Sequence, residues 1–158
     1  MKIGILFPTA FRDPGEYLAD ARAFEAAGAD RIFVEATADA DPLVLLGALA
    51  AVTGRVALGV IAQTEAERRV LSEDPRLRTV QRLARERVAI GVRTPGGVAL
   101  NGERWVPVGL PADRQAWQTA LAEAGRDGVI VAADPRLVDL LRHPVEEGDR
   151  GDLMLSTG

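Results

Sequence analysis

Apolar residues come in short unbroken runs, separated by stretches of helical period. The runs at 2–7 (KIGILF), 31–35 (RIFVE), 55–61 (RVALGVI), 87–92 (RVAIGV), 128–133 (GVIVAA) and 152–156 (DLMLS) read as strands. Strands apolar on both faces belong in a parallel sheet covered by helices. Between them, the period predicts helices at 14–27, 42–53, 65–84 (restarting at Pro75), 112–124 and 135–142. Asp-Pro pairs precede four helical stretches: Asp13-Pro14, Asp41-Pro42, Asp74-Pro75 and Asp134-Pro135. Aspartate accepts hydrogen bonds from the free amides of a first turn. Proline fits the first helical position, where its missing donor has no partner anyway. Gly28, Gly54 and Gly125 follow helix ends, and Pro144 stops the last one. Residues 97–108 predict a β-hairpin turning at Asn101-Gly102.

Strands alternating with helices imply βαβ units. The expectation is a single α/β domain over 1–158, its segments being 1–60, a hairpin connector at 93–111 and a final βα portion. The second helix has no polar side chain from Leu43 to Val52. A helix apolar all round needs cover on all sides. Burial within the domain is one solution. The preferred one is a homodimer through helix 42–53, where Gly47, Ala48, Ala50 and Ala51 permit close helix approach, and Leu46→Lys is expected to break it.

Composition narrows the chemistry. The net charge of −4 disfavours a nucleic-acid partner, which needs a basic face. The absence of cysteine removes disulfides and thiolate metal sites. The longest apolar run is half of the ~20 residues that a membrane span needs. The start goes straight into a strand without a cleavage pattern, so the chain reads as cytoplasmic and without a membrane partner. A dinucleotide fingerprint, a P-loop lysine and a G-x-S-x-G elbow are all missing. One histidine, His143, forms no metal set with carboxylates.

Three stretches carry a resemblance: MKIGILFP, ADARAFEAAGADRIFVE and DPLVLLGALAAVTGRVALGV. Over residues 1–60 the chain resembles the bacterial-luciferase-like family of flavin- and deazaflavin-dependent oxidoreductases, with a weaker likeness over 80–108. The resemblance implies a (β/α)₈ barrel with the coenzyme at the carboxyl ends of the strands. Such a barrel takes roughly 200–250 residues. The expected fold is therefore an incomplete TIM-barrel-like βα repeat: a mainly parallel sheet of about six strands, with a β-hairpin insertion near 97–108.

The resemblance implies FMN or the deazaflavin coenzyme as cofactor and a small organic substrate, with Phe7, Val60, Ile61, Ala62, Gly91 and Arg93 as cofactor-binding positions. A strained cis peptide is implied near residues 60–62. Glu35 is the candidate catalytic group, as a general base or ring partner; a solvated helix-cap role is its plain alternative. Family members often have histidine next, where this chain has Ala36. Arg93 stands where the family often has glycine, and a guanidinium there suits a phosphate. Trp105 is a candidate pocket residue, and Trp117 a core one. The alternative function is a non-catalytic truncated relative, acting as a flavin-binding or dimeric interaction protein.

Overall fold

The computed structural model describes residues 1–124 and 128–142. The element order is β1 (Ile3–Leu6), α1 (Pro14–Ala27), β2 (Arg31–Glu35), α2 (Pro42–Val52), β3 (Ala57–Ala62), α3 (Glu65–Glu73), α4 (Pro75–Leu83), β4 (Val88–Thr94), β5 (Gly97–Leu100), β6 (Glu103–Pro107), α5 (Arg114–Ala124), β7 (Gly128–Ala132) and α6 (Arg136–Arg142). Gly125, His143, Pro144 and the strand expected at 152–156 lie outside the described residues.

The strands form a closed barrel in chain order, and β7 pairs with β1 to shut it. This corrects the expected fold class. The sheet is neither open nor a mainly parallel set of about six strands. It is a closed barrel of seven strands with mixed directions. The hairpin is no insertion: β5 runs antiparallel to β4 and β6, and β6 then runs parallel to β7. Antiparallel neighbours need only a short turn, whereas a parallel pair needs a crossover of a dozen residues or more. Two staves are thus added without a helix, which is how a short chain closes the wall. Asn101 and Gly102, with φ of 51° and 79°, make the turn, the double left-handed geometry of a type I′ hairpin.

Two apolar layers follow. Ile5, Phe7, Ile32, Val34, Leu58, Val60, Val129 and Val131 face outward into the helical shell. Phe33, Ile61, Val98, Leu100, Trp105 and Ile130 fill the barrel. Glycines on neighbouring staves make room for two large rings. Phe33 and Trp105 meet edge to face with centroids 5.1 Å apart. A Cβ on Gly59 would stand 2.7 Å from Phe33, and one on Gly128 2.6 Å from Trp105. At the amino end of the barrel, Arg31 lies over both rings and donates to Leu58 O at 2.9 Å. Beside it Lys2 pairs with Glu103.

Helix α2 packs against β2 and β3 beneath and against α1 and α4 at its sides. Leu43, Leu45, Leu46 and Leu49 are buried within the chain, and Leu46 is fully enclosed. Leu46→Lys therefore attacks the core and is no test of an interface. The residues left outward are Val44, which is 65% exposed, and Ala51.

The corner between α2 and β3 is held by two side chains from outside it, Glu25 of α1 and Arg87 just before β4. The Glu25 carboxylate accepts from the amides of Gly54, Arg55 and Val56, at 2.9, 2.5 and 2.8 Å. Burial pushes its pKa up, but these three amide bonds and the Arg55 charge outweigh burial and hold it below the usual carboxylate value. A carboxyl with a depressed folded pKa adds stability above its unfolded pKa and loses it as pH falls through the folded one. Glu25→Gln is accordingly expected to lower the denaturation midpoint at pH 7, and the gap to the parent should close below about pH 4. Parallel urea titrations at pH 7, 5 and 3.5 check this; a gap independent of pH contradicts it.

Candidate functional site

The carboxyl ends of three adjacent parallel strands bring three polar side chains together. Glu35 ends β2, Gln63 follows β3, and Arg93 lies near the end of β4. The register aligns Glu35 with Ile61, and Ile61 with Gly91. Two residues further on, Gln63 and Arg93 point inward again, because side chains alternate along a strand. Arg93 pairs with Glu35 through Nη2 and donates from Nε to Gln63 Oε1 at 3.1 Å.

The backbone of Gln63 is itself fixed. Its amide donates to the Glu67 carboxylate at 2.6 Å, while Thr64 accepts from the Glu67 amide at 3.1 Å. This variant of a capping box sets the start of α3 and with it the place of Gln63. The side chains of Arg93 and Glu35 are 38% and 29% exposed. They form an accessible polar rim on the mouth of a barrel whose interior is packed with rings and aliphatic groups.

The positions expected to bind a coenzyme, with the catalytic candidate Glu35, divide into three groups. Glu35, Ile61 and Arg93 lie on the inner side of the wall toward the mouth. Phe7 and Val60 face the helices, and Phe7 packs edge-on against Tyr17 and Phe24. Ala62 is fully buried and alternates to the same outer side. Gly91 faces inward, but the space above it is taken: a Cβ there would stand 2.9 Å from Val98 and 3.0 Å from the Ala99 carbonyl. Its lack of a side chain admits β5. All peptide bonds of the described residues are trans, so the implied cis peptide near 60–62 is missing.

Trp105 is 1% exposed inside the barrel and lines no open pocket at the mouth. Trp117, also 1% exposed, belongs to the shell core. His143 lies outside the described residues. The sequence reading missed Gln63. The capping pattern Thr64-x-x-Glu67 marks its location, but its meeting with Arg93 depends on strand register. It also missed Tyr17, whose buried hydroxyl has no hydrogen-bond partner among the described residues. Burial pushes its pKa up to about 12, so it stays protonated at neutral pH.

The charged part of the mouth presents one guanidinium, Arg93, beside a carboxylate and an amide. A guanidinium presents its donors in a planar fork that matches phosphate oxygens, and Arg93 is held in place through Nε by Gln63. Among the described residues, no group of histidines and carboxylates is arranged to hold a metal ion, and no helix is long and apolar enough to cross a membrane.

Fold and site together define a closed mixed βα barrel with a charged rim at the carboxyl ends of its parallel staves. No protein-family model matches the chain, and no curated protein matches it significantly.

Proposed function

We propose that the chain is a luciferase-like oxidoreductase that binds FMN or the deazaflavin coenzyme at the carboxyl mouth of the barrel and acts on a small organic substrate. The observation that carries this reading is the convergence of Glu35, Gln63 and Arg93 on three neighbouring strand ends, the end of a βα barrel at which ligands bind. Arg93 would hold the coenzyme phosphate, Gln63 would keep the guanidinium oriented, and Glu35 would accept or return a proton at the substrate. The coenzyme, when bound, supplies the redox chemistry.

Titration of the purified chain with FMN and with the deazaflavin coenzyme, followed by coenzyme fluorescence, tests the reading. Micromolar binding is expected, weakened about tenfold or more in Arg93→Met, since a hydrogen bond to a charged group contributes about 1.5–3 kcal/mol. No binding of either coenzyme rejects it.

A second reading, a dimeric interaction protein without turnover, has its own observation. The strip Val44, Gly47, Ala48 and Ala51 on α2 stays uncovered or half-covered in the isolated chain. A shallow groove of about 270 Å³ runs beside it, lined by Leu43, Val44, Gly47, Arg76, Thr79 and Val80. Mass measurement on the same preparations separates the two readings: a dimer that Val44→Glu splits, without coenzyme binding, favours the second.

A further inference from the structure

We propose that Glu35 is the resident occupant of a phosphate site on Arg93, and that a phosphate group entering the mouth displaces the Glu35 carboxylate and sets it free. This rests on the reading of the mouth as a ligand site and adds a coupling between its two charged residues.

The argument starts from the guanidinium. Arg93 spends Nε on Gln63 and Nη2 on Glu35. A phosphate bound in the forked manner takes both terminal nitrogens. It therefore competes with Glu35 for Nη2 while leaving the Gln63 bond intact. The Gln63 backbone is fixed at the start of α3, and the bond from Nε to its side chain remains available to the guanidinium when the carboxylate partner leaves. Neither charge is sealed in: the two side chains are 38% and 29% exposed, so a ligand reaches Arg93 and water receives Glu35. An ion pair this exposed is weak, because water screens both charges. A dianion with two parallel hydrogen bonds outcompetes it. In this arrangement Glu35 is masked as a base in the empty protein and released when the anion arrives, which ties its proton chemistry to ligand occupancy.

The test measures inorganic phosphate binding by calorimetry in the parent, Glu35→Gln and Arg93→Met, with melting temperatures as a control on folding. Removing the occupant is expected to tighten phosphate binding about two- to fivefold in Glu35→Gln, the range a partly exposed pair allows, and Arg93→Met is expected to abolish it. In the parent chain, the carboxyl-carbon resonance of Glu35 should move as phosphate saturates the site, which serves as a readout that needs no variant.

FMN against riboflavin identifies the source of the phosphate. A Glu35→Gln gain for FMN and none for riboflavin places the coenzyme phosphate on Arg93. Equal behaviour of the two flavins, with the gain kept for inorganic phosphate, points to a substrate phosphate and leaves this proposal standing while the coenzyme reading falls. Unchanged or weaker phosphate binding in a folded Glu35→Gln, or a Glu35 resonance that stays put at saturation, overturns it.

Discussion

Replacing Trp105 by alanine is expected to remove about 3–5 kcal/mol of stability, a fall in Tm of roughly 6–20 °C for a chain of this size. The indole is 1% exposed and sits at the centre of the barrel. It packs against Phe33, and the backbone at Gly128 approaches its six-membered ring closely. The wall is a hydrogen-bonded ring of strands, so it collapses only partly into a hole left inside it, and the cavity adds to the lost transfer energy. The converse change is expected to hurt as well. A methyl on Gly128 would stand 2.6 Å from the indole, and overpacking of this kind takes about 1–3 kcal/mol. Denaturant unfolding of Trp105→Ala, Trp105→Phe and Gly128→Ala gives the order: alanine at 105 worst, with the other two intermediate. A loss under about 1 kcal/mol for Trp105→Ala would falsify the packed interior.

Arg87→Met is the second large effect, expected at about 2–4 kcal/mol. The side chain of Arg87 returns from the start of β4 to the end of α2. It donates to Ala84 O at 2.6 Å, Val56 O at 2.7 Å, Thr53 O at 3.0 Å and the Thr53 hydroxyl at 3.2 Å. Carbonyls at a helix end have no partner within the helix, and a cation there also meets the negative end of the helix dipole. Methionine keeps an unbranched apolar stem and removes every donor. Lysine at 87 is expected to recover only part of the loss, because one ammonium cannot reach four acceptors that lie in different directions. Hydrogen exchange should speed up first at residues 50–57. Equal midpoints for Arg87→Met and the parent rule out this role.

Much of the local architecture was legible in the chain. Asp13, Asp41, Asp74 and Asp134 each accept from the amides of the turn that follows, as the Asp-Pro pairs predict. The long helical stretch at 65–84 does break before Pro75, into α3 and α4. The hairpin turns where Asn101-Gly102 says it does. These features rest on neighbours a few residues apart, and a linear reading captures them.

What failed was the inference from strand count to closure. It assigned every stave a parallel neighbour and a helix, so the chain looked too short. The hairpin was recognised, yet nothing local says whether it hangs outside a sheet or completes one. Helix α2 shows a related limit. Its apolar circumference calls for cover on all sides, and α1, α4, β2 and β3 supply most of it within the chain, leaving Val44 and Ala51 exposed. The candidate site was half legible: Glu35 and Arg93 were picked as strand-end residues with separate roles. Their pairing, and the part of Gln63 between them, came only with the register of β2, β3 and β4.

The sequence by itself determined where elements begin and end, through caps, turns and periods written into adjacent residues. It also placed apolar strands between apolar helices. Only the tertiary structure decided which side of each strand is barrel and which is shell. Phe33 and Val34 are both fully buried, so hydrophobicity cannot distinguish them; closure puts the first inside the barrel and the second under the helices. The same closure sets glycines against Phe33 and Trp105 and brings an acid, an amide and a guanidinium to one rim. These are properties of long-range register, fixed when residues 3–6 and 129–132 pair, and no short stretch of the chain contains them.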